Sequence, residues 1–142
     1  MVEFLLAAMR ALDAGCQRGR VPLRCLLVDD NAAFLEAARA VLRRDGITVV
    51  GVASDIASAL REARGLRPDL ILVDIGLGEE SGFDLARRVA QEQPGGRAEV
   101  IMISTHAESD YVELIAESPV AGFLAKSELS GRAIRHVLGH TA

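Results

Sequence analysis

Apolar residues in this chain fall into short unbroken blocks, and between the blocks they recur every three or four positions. A block of roughly four to eight apolar residues between turn signals reads as a strand buried on both faces, and the wider spacing reads as an amphipathic helix. The clearest block is Leu70-Ile71-Leu72-Val73, which is bounded by Pro68 and Gly76 and stops at the carboxylate of Asp74. The pattern predicts five strands in all, at 23–28, 47–53, 69–74, 99–104 and 120–125.

Helices are predicted between the blocks. Asn31 caps the first, whose inward face is Phe34, Leu35, Ala38, Val41 and Leu42 and which stops at Gly46. Asp55 caps the second, which runs through Leu60 and Ala63 to a C-terminal glycine at Gly65. Ser81-Gly82-Phe83-Asp84 reads as a capping box with Asp for the usual Glu, opening a third helix to Glu92, with a turn at Pro94-Gly95-Gly96. A short helix at 109–117 ends at Ser118-Pro119, and a last one, capped by Ser127 or Ser130, carries Leu129, Ala133, Val137 and Leu138.

Strands alternating with helices predict an α/β fold: a doubly wound five-stranded parallel sheet with helices on both faces. Right-handed crossovers make the flavodoxin-like order 2-1-3-4-5 the expected topology. Residues 1–22 stand apart as an N-terminal extension to a domain at 23–142. Val2, Leu5, Met9 and Leu12 have helical spacing, and Gly15, Gly19 and Pro22 mark a linker. That helix either packs on the domain or trails from it, or serves dimerisation or docking. The chain stops soon after the last predicted helix, so no helix-turn-helix or enzymatic output domain is expected within it.

Composition narrows the class. A chain of 142 residues suits one compact domain. Its net charge of −4 disfavours direct nucleic-acid binding, which needs a positive face. No apolar run is long enough to span a membrane, and Glu3 and Arg10 spoil the N-terminus as a signal peptide. Cys16 and Cys25 form neither a disulfide framework nor a zinc pattern and suit a reducing cytoplasm.

Chemistry gathers at the strand ends, where open α/β sheets place their ligands. The first strand ends in Asp29-Asp30, the third in Asp74, the fourth in Ser104, and the fifth runs into Lys126. Three neighbouring carboxylates resist full ionisation unless a cation joins them. Hard oxygen ligands suit Mg²⁺, with the backbone carbonyl of Gly76 as a further ligand. A carboxylate such as Asp74 can act as a nucleophile towards phosphorus, and phosphoryl transfer then needs mainly positioning and charge neutralisation. Ser104 offers a hydrogen bond and Lys126 a positive charge for that purpose.

These residues carry a resemblance. From Leu23 to the region of Gly139 the chain resembles the receiver domain of two-component response regulators. Asp29, Asp74, Ser104 and Lys126 succeed one another at intervals of 45, 30 and 22 residues, as in that family, and Gly82 lies eight residues beyond Asp74. Phe123, three residues before Lys126, matches the family's switch aromatic. Ser104-Thr105-His106 is similar to receivers usually joined to helix-turn-helix output domains, here in a single-domain form. The chain departs from the family pattern at Ser127, where proline is common, and in the 75–82 loop, which lacks the frequent Met-Pro and is therefore expected to be more mobile.

The resemblance implies a phosphoacceptor signalling domain rather than an enzyme with a separate substrate, though one that promotes its own phosphotransfer and dephosphorylation. Its partners would be a histidine kinase or histidine phosphotransfer protein, and a downstream protein bound on the 109–138 face. Nucleic acid and membrane are not expected, and a homodimer is compatible. The alternative is a receiver-fold interaction module that works without phosphorylation. Gly76 and His106, two residues beyond Asp74 and Ser104, flank the approach of hydrolytic water. His106 either orients that water or faces solvent.

Simpler readings remain for single residues. Asp29-Asp30 could be a helix cap, and Phe123 ordinary core. Gly76, Gly78 and Gly82 imitate a dinucleotide-binding loop, but on the third strand and behind a carboxylate. His136 and His140 have metal-ligand spacing, yet flank Gly139 near the chain end, which favours a solvated pair.

Overall fold

The computed structural model describes residues 22–92, 98–106 and 108–139, without the side chains of 108 and 109. The expected N-terminal helix, most of its linker, the Pro94-Gly95-Gly96 turn, Cys16 and His140 lie outside the described residues. Five parallel strands, β1 (Arg24–Val28), β2 (Thr48–Ala53), β3 (Leu70–Asp74), β4 (Glu99–Ser104) and β5 (Gly122–Ala125), form one sheet in the order 2-1-3-4-5. The helices are α1 (Ala32–Arg44), α2 (Ile56–Leu66), α3 (Gly82–Glu92), α4 (Val112–Glu117) and α5 (Gly131–Val137).

Alternation along the strands divides the core in two. Leu26, Val28, Ile71, Val73, Val100 and Met102 face one side, where α2 and α3 supply Ala59, Leu60, Ala63, Phe83, Ala86 and Val89. Cys25, Leu27, Leu70, Leu72, Ile101 and Ile103 face the other, against Ala38 and Leu42 of α1 and Ile134 of α5. Both sheet faces are thus covered, which is why the strands read as continuous apolar runs. Because α1 and α3 leave their strands on opposite faces, a crevice opens above the C-terminal ends of β1 and β3.

The caps at Asn31 and Asp55 follow the sequence, and the departures lie at the end of the second helix, the start of the third and the 109–117 segment. The Asn31 side chain accepts a hydrogen bond from the Phe34 N–H at 3.0 Å, and Asp55 closes a full capping box with Ser58. The second helix does not stop at Gly65. It runs on to Leu66, whose Cδ1 would lie 2.7 Å from a Cβ at Gly51 on β2, and the left-handed C-cap falls on Arg67 (φ 50°). The extra residue brings Leu66 onto the strand. At α3 the Ser81 hydroxyl accepts from the Phe83 N–H at 3.1 Å, while the Asp84 carboxylate meets Arg87 one turn on. Of the two candidate caps, Ser130 caps α5, and Ser127 lies in a 3₁₀ turn (Lys126–Glu128). The predicted 109–117 helix divides into a 3₁₀ turn (Glu108–Tyr111) and α4.

Gly82 is fixed by close approach. A Cβ there would collide with the Asp74 carbonyl oxygen and come within 2.8 Å of Met102 Cε and Val73 Cγ1. The start of α3 therefore presses directly on the end of β3, and only glycine fits. Gly82→Ala should lower unfolding stability by about 1–3 kcal/mol through overpacking. Gly65→Ala, in a helix at a site with nothing within 4 Å, should raise it by about 0.5–1 kcal/mol. Urea midpoints at unchanged slope check both, and equal effects would contradict the packing argument.

Candidate functional site at the strand ends

Register assembles the site. Val28 of β1 pairs with Val73 of β3, so Asp29 stands level with Asp74. Asp74 pairs with Ile103, one residue before Ser104, and Ser104 pairs with Ala125, one residue before Lys126. Neighbouring strands lie about 4.8 Å apart, so residues 45, 30 and 22 positions apart in sequence reach one rim.

Asp29 is fully buried and engaged on both oxygens. Its Oδ1 accepts from the Asn31 N–H at 2.9 Å, and its Oδ2 lies 2.7 Å from Lys126 Nζ. Oδ2 makes no aligned hydrogen bond among the described residues and is held there by the ammonium's charge. The same ammonium lies 3.4 Å from Asp74 Oδ2 and 4.4 Å from the centroid of the Phe34 ring. Burial raises the Asp74 pKa above its ordinary value, and the charge of Asp29 adds to this. Lys126 and the Gly76 N–H oppose the shift.

Asp29, the exposed Asp30 and Asp74 can bring ligand oxygens within 4.8 Å of one another. Three carboxylates against one ammonium leave two negative charges when all are ionised, which one divalent cation would balance. The donor set is wholly hard oxygen, as Mg²⁺ prefers, so the residues fit that ion.

The loop after β3 contains a short hairpin that the sequence did not predict. Gly76–Leu77 and Glu80–Ser81 form a two-residue antiparallel hairpin, turning at Gly78 (φ 64°). Glu80 Oε1 accepts from the Ile56 N–H at 2.9 Å, tying this loop to the start of α2. A Cβ at Gly76 would meet nothing within 4 Å, so the approach to Asp74 past this residue is open. The loop, which lacks Met-Pro, forms a hairpin whose second strand is pinned by a carboxylate. Sequence reading missed the Glu80 bond because it spans 24 residues.

Ser104 is buried, and its Oγ accepts from the His106 N–H at 2.9 Å. The exposed His106 ring stands edge-on to Tyr111, centroids 6.2 Å apart, and Tyr111 in turn lies 6.5 Å from Phe83. Phe123, half-buried on β5, packs against the same side of the core as Tyr111 and Ile115. Phe34, expected only as an inward helix position, also reaches the site. Its place one turn after Asn31 at the top of α1 was the available signal.

A model of the response regulator receiver domain family matches residues 25–137. The transcriptional regulatory protein MctR of Rhizobium johnstonii is 32% identical over 108 residues, covering 75% of this chain and 50% of that protein. Protein-glutamate methylesterase/protein-glutamine glutaminase 1 of Syntrophus aciditrophicus is 36% identical over 114 residues, covering 80% of this chain and 32% of that one. The chain therefore spans between about a third and a half of the length of these relatives. A solved two-component response regulator of the LuxR family from Aurantimonas sp. SI85-9A1 shares the fold at a TM-score of 0.72 and 26% identity, covering 86% of this chain and 89% of that one.

The raised Asp74 pKa has a consequence for stability. Between the ordinary value of 3.8 and the raised folded value, the folded state binds more protons than the unfolded chain, so this group's contribution falls as pH rises. In EDTA, Asp74→Asn should be more stable than the parent at neutral pH, and the difference should vanish below the ordinary carboxylate pKa. Urea titrations across that range measure it, and a less stable variant at neutral pH would contradict the assignment.

Proposed function

The chain belongs to the response regulator receiver domain family, and on that premise we propose that it accepts a phosphoryl group on Asp74, with Mg²⁺, and relays the event through protein contacts. Receiver domains of response regulators work with histidine kinases and output domains. The observation that most supports the reading is the register: four strands deliver two acids, a hydroxyl and an ammonium to one rim. The donor would be the phosphohistidine of a kinase or histidine phosphotransfer protein. An Asp74 oxygen attacks phosphorus, the phosphorus–nitrogen bond breaks, and the histidine leaves as neutral imidazole after taking up a proton. No helix among the described residues is long and apolar enough to cross a membrane, and the proposed setting is the cytoplasm, where such kinases present their phosphohistidine.

Each group has a task in this scheme. Asp29, Asp30, Asp74 and the Gly76 carbonyl would hold Mg²⁺, which when bound neutralises developing charge on the phosphoryl oxygens. Lys126, already 3.4 Å from Asp74, offers a second positive charge to the product. Ser104 exchanges its contact with the His106 N–H for one to a phosphoryl oxygen. Phosphorylated Asp74 carries roughly −1.5 to −2 charges, and it can shift the loops after β4 and β5 only through its differential affinity for their two arrangements. Phe123 follows these loops and reshapes the α4–β5–α5 face, where Val112 and Leu114 are 56% and 46% exposed. That face is the proposed docking surface for a downstream protein or a second copy.

Incubation with Mg²⁺ and acetyl phosphate should add one phosphoryl group by intact mass. Asp74→Asn or excess EDTA should abolish it, and Asp30→Ala should weaken Mg²⁺ binding and labelling together. Stoichiometric labelling of Asp74→Asn elsewhere would overturn the assignment. No uptake by the parent chain would favour a module that works without phosphorylation.

The phosphoryl group should also be short-lived, because Gly76 leaves the water approach open. Gly76→Arg should extend the lifetime several-fold and His106→Ala should change it. Equal decay of all three proteins by mass spectrometry would show that neither position controls water.

A further inference from the structure

Lys126 is the single lysine of the chain; every other side chain among the 16 lysines and arginines is arginine. Its ammonium is enclosed on three sides. Asp29 lies at 2.7 Å, Asp74 at 3.4 Å, and the Phe34 ring at 4.4 Å, with only 13% of the lysine side chain exposed. We propose that Phe34 is a positioning residue for Lys126, its ring face holding the ammonium against the two carboxylates. The inference rests on the proposed phosphoacceptor role of Asp74 for its purpose, but not for the contact itself.

The placement of Phe34 belongs to a closed circuit. Asp29 Oδ1 accepts from the Asn31 N–H, and the Asn31 side chain accepts from the Phe34 N–H. The Phe34 ring faces Lys126, and Lys126 returns to Asp29 through Oδ2. The carboxylate that pairs with the lysine therefore also orients the turn presenting the ring. A ring face attracts a cation through its quadrupole, most strongly where water is excluded. An ammonium is a compact point charge on a flexible stem, unlike a planar guanidinium, so its direction must be fixed from outside. The two carboxylates hold the ammonium by charge, and the Phe34 ring covers a further side of it. Without the ring, one side of the ammonium opens to solvent and the carboxylates alone hold it, so the charge offered to an incoming phosphoryl group is less sharply positioned.

A single lysine makes the test direct. Reductive methylation, with peptide mapping to separate the α-amine, reports the accessibility of this one ε-amine. Phe34→Leu keeps apolar bulk and loses the ring face, whereas Phe34→Tyr keeps the ring. The leucine variant should be methylated on the order of 5- to 30-fold faster than the parent, the range equivalent to loss of a cation–π contact. The tyrosine variant should stay within about 2-fold of the parent, because it retains the same kind of ring face. The Lys126 Hε resonance should lose its upfield ring-current shift in Phe34→Leu alone. Phosphorylation by acetyl phosphate at saturating Mg²⁺ should slow in Phe34→Leu and recover in Phe34→Tyr. Parental methylation and an unmoved resonance in Phe34→Leu would overturn the proposal, as would equal behaviour of the two variants. Failure of the parent to take up phosphate would instead overturn the phosphoacceptor reading, leaving the methylation and resonance results to decide the contact.

Discussion

A single ammonium stands between Asp29 and Asp74, and the arrangement of the rim depends on it. Asp29 is fully buried, where an unpaired ionised carboxylate would be costly. Lys126 offsets that cost and reaches Asp74 at the same time, so the two strand ends are coupled through one charge. The pairing is incomplete, since one ammonium serves both Asp29 and Asp74 while Asp30 lies beside them, and Asp74 retains a raised pKa from burial and from Asp29. The site is therefore acidic and under-neutralised, a condition that a divalent cation relieves.

The scaffold serves this charge arrangement by keeping its members at fixed heights. Parallel pairing sets Asp29 level with Asp74, Ser104 one residue higher and Lys126 one residue beyond the partner of Ser104, and both sheet faces are buried under helices. A one-residue slip in any strand would turn its buried residues to the opposite face, so the core itself holds the rim in register. Gly82 adds a local constraint, since the helix after the loop starts against the Asp74 backbone.

The 75–82 loop forms one half of the rim. Its hairpin, with Gly78 in the left-handed region, turns back beside Asp74, and the Glu80 carboxylate fastens it to α2. Gly76 contributes backbone without a side chain, so the loop can offer a carbonyl while leaving solvent access open. Tyr111 joins the other half of the rim, touching His106 on one side and Phe83 on the other.

Periodicity alone determined the five strands, the five helices and the winding of the sheet, because burial on both faces and the caps at Asn31 and Asp55 leave local signatures. It also placed Asp29, Asp30, Asp74, Ser104 and Lys126 at strand ends, since an apolar run that stops at a polar residue marks its own terminus. Tertiary structure decided the rest. The end of α2 moved from Gly65 to Arg67 because Leu66 packs on β2, a contact no local pattern announces. The Glu80–Ile56 bond and the Phe34–Lys126 contact join residues 24 and 92 positions apart, across elements whose spacing exists only once the sheet has formed. Which carboxylate the lysine approaches more closely was likewise settled by folding, because burial of Asp29 and the shared position of the ammonium are properties of the assembled rim rather than of any segment.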